Sequence, residues 1–311
     1  MILNLLLMLL GIALVLWGAD RLTDGAVAVA RRMNIPQLVI GLTIVAMGTS
    51  MPEFFVSFLS AAKGTPDLAV GNVVGSNIFN TLLIVGCSAM VAPITVQSST
   101  IKKDIPFALI SSAVLLIMCL DQDISRLDAV LLALLFIVFM YFTLNGSKLS
   151  PDETPTDTSS HPLLRTVGLL LIGLCCLIFG SNLFVDSAIS VARSLGVSDA
   201  VIGLTIIAGG TSLPELATSV VSARKGQSGI AIGNVLGSNV FNILMILGLT
   251  GLIAPMRIQG ITSVDLSMMI LSIILIWLFS YTRNTITRSE GALLTLIFIA
   301  YIAFLLKTAG A

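Results

Sequence analysis

"VIGLTIVAMGTSMPE" begins at Val39, and "VIGLTIIAGGTSLPE" begins at Val201. Each is an apolar run that ends on a proline and a glutamate, Pro52-Glu53 and Pro214-Glu215. Further along, "GNVVGSNIFN" at Gly71 returns as "GNVLGSNVFN" at Gly233, at the same offset of 162 residues (Val39 to Val201). Between Val39 and Gly86 about 29 of 48 positions match their partner without a gap. Fainter matches reach upstream, pairing Gly11 with Gly173, Gly18 with Gly180, Asp24 with Asp186 and Arg31 with Arg193. Self-similarity at one fixed offset means a duplicated unit.

The solvent of that unit follows from composition. The chain of 311 residues is 56% hydrophobic and 10% charged, with mean hydropathy +1.06. Soluble domains carry about 25% charged residues, so this is an integral membrane protein. A span takes about 20 apolar residues, and ten stretches qualify: 2–30, 36–62, 66–92, 103–120, 125–144, 163–192, 198–224, 228–254, 264–282 and 287–307. The alternating ten-residue strands of a transmembrane barrel are absent. "MILNLLLMLL" lacks a basic leader and a small-residue cleavage site, so it reads as the first helix rather than a signal peptide. Cys87, Cys119, Cys175 and Cys176 lie in or near spans at spacings that fit neither zinc nor a disulfide framework. They read as packing residues. A net charge of zero gives no reason to expect nucleic acid, and the single His161 falls in a polar, Pro-rich loop.

Five spans per copy is an odd number, and it decides the architecture. The second copy then enters the membrane from the opposite side, which gives inverted repeats about an axis in the membrane plane, a transporter arrangement. The expectation is an all-α protein of ten transmembrane helices, with residues 1–145 as the first five-helix repeat, 146–162 as a cytoplasmic linker and 163–311 as the second. Loops after odd-numbered helices carry Arg31, Arg32, Lys102, Lys103, Lys148, Arg165, Arg224, Lys225, Arg283 and Arg288. The other side carries Lys63, Arg126, Arg193, Arg257 and Lys307. The richer side is cytoplasmic by the positive-inside rule, so the N-terminus is placed outside and the central loop inside.

Pro52 has no N–H, and its ring clashes with the carbonyl of Gly48. Thr49 and Ser50 are good caps for a new half-helix. The second helix should therefore break at Gly48–Met51 and free carbonyls near Thr49, and Pro214 should do the same near Thr211. Irregular backbone at membrane depth survives only where it lines a cavity or is buried in protein. Ser50, Glu53, Ser57 and Ser60 share a helical face, as do Ser212, Glu215, Ser219 and Ser222. In the next helix Asn72, Ser76 and Asn80 form a polar stripe, repeated by Asn234, Ser238 and Asn242. A proline kink alone is common in membrane helices, and a Ser/Asn stripe alone often bonds helix to helix. A carboxylate at a helix centre costs about 2.5–3.5 kcal/mol on insertion scales. Two of them, with no Lys or Arg at similar depth, point to a cation site. The Gly71/Gly75 and Gly233/Gly237 spacings read as close helix packing. Asp20 and Asp24 read as offsetting Arg31 and Arg32 near the end of a long helix.

All donors are oxygens, which disfavours zinc and copper and suits Ca2+, with its 6–8 oxygen ligands, and also Na+. An empty site of charge about −2 is costly to seal in a bilayer. One Ca2+ or two Na+ neutralise it, so only loaded states occlude readily and the ions exchange. Buried glutamates also exchange protons, so a Ca2+/H+ antiporter stays open as the alternative. A channel stays open as well. An intramembrane enzyme lacks a nucleophile–base pair or His and Cys beside the glutamates, so the expectation is no enzyme and no prosthetic group.

At these residues the sequence resembles the sodium/calcium exchanger family of the calcium:cation antiporter superfamily. "GTSMPE" with "GNVVGSNIFN", and "GTSLPE" with "GNVLGSNVFN", are its repeat signature. The resemblance implies Ca2+ held by Glu53, Glu215 and the carbonyls of Thr49 and Thr211. It implies Na+ at Ala46, Thr49, Ser50 and Ser76 and at Ala208, Thr211, Ser212 and Ser238, with Asn80 and Asn242 lining the centre. Some relatives carry an aspartate where this chain has Asn242, which argues against the K+-dependent subgroup. It further implies two long helices, 2–30 and 163–192, that slide over the other eight. Gly18 and Gly180 suit either such sliding or ordinary packing. The expected setting is a prokaryotic plasma (inner) membrane, with lipid, Ca2+ and Na+, and H+ on the alternative reading, as partners of a single functional chain.

Overall fold

A computed structural model of the chain describes residues 1–145, 162–196, 206, 208–258 and 261–308. The apolar runs become helices: α1 (Ile2–Met33), α2 (Gln37–Thr49), α3 (Met51–Ala62), α4 (Leu68–Val91), α5 (Thr100–Asp121), α6 (Arg126–Asn145), α7 (Leu163–Ser194), α8 (Leu213–Arg224), α9 (Ser228–Ile253), α10 (Ser263–Arg283) and α11 (Arg288–Thr308). Eight of these are long and apolar enough to span a membrane. The pair α2 and α3 makes a ninth span, bent by 48°. The tenth expected span, 198–224, is represented by the short turn Ala208–Gly210 and α8, and most of its first half lies outside the described residues. So do residues 146–161 of the expected linker 146–162, with Lys148 and His161.

Local chemistry sets the ends. α1 stops after Arg31 and Arg32, where Asn34 turns left-handed at φ 55° and accepts the αL role at lower cost than most side chains. Gly64 and Gly226 take φ +78° and +73° at the matching turns after α3 and α8, a conformation that favours glycine. α10 opens with a capping box between Thr262 and Asp265.

Burial sorts the helices into centre and rim. In the most apolar window of α9, 94% of residues are buried, and 67% in α4, against 22% in α1 and α7 and 17% in α11. Leu127, Ile137 and Phe142 of α6 and Leu164 of α7 are exposed, as lipid-facing side chains of a membrane protein are. Among the described residues, four two-residue strands tie the loops together. β1 (Ile94–Thr95) pairs antiparallel with β4 (Thr285–Ile286), and β2 (Asp123–Ile124) pairs with β3 (Met256–Arg257). The repeat offset carries β1 onto β3 and β2 onto β4, so each strand pairs with the copy of the other's partner.

α1 and α7 cross closely. A Cβ on Gly18 would lie 2.7 Å from the carbonyl oxygen of Gly173, and one on Gly180 would lie 2.9 Å from that of Gly11. Gly18 and Gly180 therefore serve the packing of the two long helices on each other. Asp20 and Asp24 do not offset Arg31 and Arg32. Lys225, at the end of α8, reaches them at 2.5 and 2.7 Å, and Arg21 lies 3.0 Å from Asp20. A cation from a distant turn is a better-placed partner than Arg31 or Arg32, which lie two or three turns further along the same helix. One turn deeper, Thr23 and Ser222 share a buried hydrogen bond at 3.0 Å.

The small-residue spacings divide. Gly233 and Gly237 pack on α2, where added Cβ atoms would meet Leu38 O at 2.7 Å and Leu42 O at 2.6 Å. Their copies do not pack this way among the described residues: Gly71 meets Ile261 at 3.4 Å, and Gly75 meets nothing within 4 Å.

Candidate ion-binding site

The break expected at Gly48–Met51 falls at Ser50, with φ −83° and ψ 9° between α2 and α3. Ser212 repeats it at φ −89° and ψ 8° before α8. Each break puts a proline at the start of the following helix and a glutamate in its first turn. Negative charge at a helix N-terminus is favoured by the dipole, which offsets part of the cost of burying Glu53 and Glu215, each 1% exposed.

The two halves hold each other's carboxylates. The Ser50 hydroxyl donates to Glu215 Oε1 at 2.8 Å, and the Ser212 hydroxyl donates to Glu53 Oε1 at 2.8 Å. Ser212 also lies 3.3 Å from Ser76 Oγ, so Ser76 of α4 joins the site. Asn72 Nδ2 donates to the Glu53 main-chain oxygen at 3.2 Å and to Ser57 at 3.0 Å. Asn234 does the same for Glu215 and Ser219, at 3.3 and 3.0 Å. These amides strap each glutamate's backbone to the neighbouring helix. Thr49 adds a donation to Asn234 Oδ1 at 3.1 Å.

Buried polar atoms are nearly always paired. Here six side-chain oxygens of the expected site residues are buried with no hydrogen-bond partner: Glu53 Oε2, Glu215 Oε2, Thr211 Oγ1, Ser238 Oγ, Asn80 Oδ1 and Asn242 Oδ1. The donor set is oxygen throughout, hard and anionic at two points, and fits Ca2+ or Na+. Ala46 stands at the break, its carbonyl accepting from Ser50 N–H at 3.0 Å. Ala208 begins the turn Ala208–Gly210, and its side chain lies outside the description.

Sequence patterning missed two features. Both α4 and α9 open into a π-helical turn, Phe79–Ile84 and Phe241–Ile246, immediately at the second polar motif. Such turns recur at functional sites, and no proline or glycine within them signals it. Asn77, Asn239 and Thr81 also join the polar centre through hydrogen bonds to Asn80, Asn242 and each other. They lie off the stripe of every fourth residue that singled out Asn72, Ser76 and Asn80. The duplicated "GSN" was the available signal.

With this geometry in place, comparison with known proteins is direct. The family model described as sodium/calcium exchanger protein matches residues 3–145 and 165–307. The chain is 38% identical over 317 residues to the inner membrane protein YrbG of Escherichia coli (strain K12), covering 98% of this chain and 97% of that one. It is 31% identical over 343 residues to the sodium/calcium exchanger MaX1 of Methanosarcina acetivorans, covering 97% and 98%. Its fold is similar to a solved structure of the sodium-calcium exchanger NCX_Mj, soaked with zero Na+ and Ca2+, at TM-score 0.86 and 33% identity over 98% of this chain and 99% of that one. Both halves match a single family, and the coverage runs through the broken helices and the crossed Ser–Glu pairs. This multi-pass membrane protein is a cation antiporter and belongs to the sodium/calcium exchanger family.

Proposed function

We propose that the protein exchanges Ca2+ for Na+ by alternating access, with both ions competing for Glu53 and Glu215. The observation that carries this reading is the crossed pair: each carboxylate spends one oxygen on a serine of the other half and keeps the second buried and unpartnered. Two such oxygens, with the carbonyls of Thr49 and Thr211 at the breaks, make a divalent site shared between halves. Ser50, Ser76, Ser212 and Ser238, the carbonyls of Ala46 and Ala208, and the amides of Asn80 and Asn242 supply neutral oxygens that suit Na+. Because the site belongs to both halves, one ion can occupy it only when they close on it together. The exchanged pairing of β1 with β4 and β2 with β3 supports two inverted five-helix repeats, as do the mirrored hydrogen bonds of Asn72 and Asn234. The protein acts as a single chain in a prokaryotic plasma membrane, N-terminus outside.

Radiolabelled Ca2+ uptake into liposomes tests it. An outward Na+ gradient should drive uptake, and Glu53→Gln or Glu215→Gln should each cut it by roughly a hundredfold, since losing one buried charge partner costs about 3 kcal/mol. Uptake that follows a pH gradient and ignores Na+ would show the Ca2+/H+ alternative instead. Retained exchange in both glutamine variants would sink the shared site.

A further inference from the structure

An amide is a good cation ligand only in one of its two orientations. Its Oδ1 attracts the ion, whereas its NH2 repels it, and the two differ by a half-turn that hardly changes shape. What selects the orientation is the hydrogen-bond partners of the other end. Asn80 and Asn242 are 1% and 0% exposed, and each has its Oδ1 unpartnered. Asn80 lies one helical turn beyond Ser76 on the same face of α4, and Ser76 reaches the hydroxyl that holds Glu53.

The orientation can be traced from fixed ends. The main-chain oxygen of Asn239 can only accept, and Asn77 Nδ2 donates to it at 3.2 Å. That leaves Asn77 Oδ1 to take the Nδ2 of Asn242 at 3.0 Å. Asn242 is thereby held with its Oδ1 unpartnered. In the other half the Thr81 hydroxyl donates to the main-chain oxygen of Asn77, which spends its proton. Its oxygen then accepts from Asn239 Nδ2 at 3.2 Å. Asn239 Oδ1 takes the Nδ2 of Asn80 at 3.1 Å, and again the Oδ1 is left unpartnered. Both relays end on a backbone carbonyl, which cannot flip. They are not copies: the repeat partner of Thr81 is Ile243, which has no hydroxyl. Two different relays nonetheless leave the same atom of the same two residues unpaired.

We propose that Asn77, Asn239 and Thr81 are positioning residues that hold Asn80 and Asn242 with their carbonyl oxygens turned toward the transported cation. The inference rests on the exchange site proposed above and adds what makes its neutral part an oxygen-only surface. Removing the Thr81 acceptor frees Asn239 and Asn80 to turn together, which presents an NH2 to the ion.

The test uses the full chain in liposomes, with Ca2+ flux measured against Ca2+ concentration and the melting temperature measured in parallel. Thr81→Val, which keeps shape and removes the hydroxyl, should raise the KM for Ca2+ by about tenfold, as loss of a group that orients a metal ligand does, with the maximal rate near that of the parent. Thr81→Ser should restore the parent KM. Asn77→Leu removes the acceptor for Asn242 and should raise the KM in the same way. A folded Thr81→Val or Asn77→Leu with the parent KM overturns the relay, and so does loss of folded protein in both, which would assign the cluster to stability alone. Ca2+ flux without Na+ dependence in the parent would overturn the driving ion, but it would leave the KM comparison decisive for the relay.

Discussion

Asn72 and Asn234 do the same job unequally. Asn234 is fully buried and serves Glu215 O, Ser219 and Thr49, whereas Asn72 is half-buried and serves Glu53 O and Ser57. A buried group left unsatisfied costs about 1–3 kcal/mol, while a group near water recovers part of its loss. Asn234→Leu should therefore lower the melting temperature of the purified protein more than Asn72→Leu. Equal shifts would mean that Thr49 and burial add nothing. The residue-level reading from sequence was strong where a residue was costly in itself. Glu53, Glu215 and the prolines before them violate the ordinary composition of a span, and duplication showed that the violation was deliberate. It was weak where the role came from a partner. Nothing in "GSN" announces that Asn77 holds Asn242, because that contact joins helices far apart in sequence. Lys225 was likewise unreadable as the partner of Asp20 and Asp24, since only the crossing of α1 with the end of α8 brings them together.

At the scale of helices, spacing of small residues indicated close approach but not the identity of the neighbour. The contacts of Gly18 and Gly180 show that α1 and α7 meet backbone to backbone, with Gly173 opposite Gly18 and Gly11 opposite Gly180. Backbone cannot move aside as a flexible side chain can, so an added methyl must separate the helices. Gly18→Ala and Gly173→Ala should each destabilise the protein by about 1–3 kcal/mol, the usual cost of overpacking. Gly168→Ala, on the same helix α7 with nothing within 4 Å of the new carbon, should be neutral or slightly stabilising because alanine is the better helix former. Thermal unfolding in detergent compares the three. A Gly168→Ala shift as large as that of Gly18→Ala would show that helix propensity, not the crossing, controls the result. The π-helical turns belong to the same scale, and periodicity alone did not reveal them, because one extra residue per turn changes the phase of the stripe without changing its composition.

Across the whole molecule the two halves share a sequence pattern but not every residue that closes one end of it. On one side Gly233 and Gly237 pack on α2, Thr23 bonds Ser222, and Lys225 bridges Asp20 and Asp24. On the other, Val185 stands where Thr23 does, and Asn182 replaces Asp20. A closure built from residues that only one half carries is a way to favour one side of an alternating-access cycle. The orientation proposed from Lys and Arg places the sealed side in the cytoplasm. Ser222, 0% exposed, lies directly behind the Lys225 bridge, so a cysteine there reports on the seal. In a background with the four native cysteines replaced, Ser222→Cys should resist a membrane-impermeant thiol reagent. Adding Lys225→Met removes two partly exposed ion pairs worth about 1 kcal/mol together, which raises the open population roughly fivefold. The labelling rate should rise accordingly, and only in inside-out vesicles. Labelling from the outer face would reverse the proposed orientation, and an unchanged rate would show that the seal is made by the glycine packing of α9 rather than by the charges at its mouth.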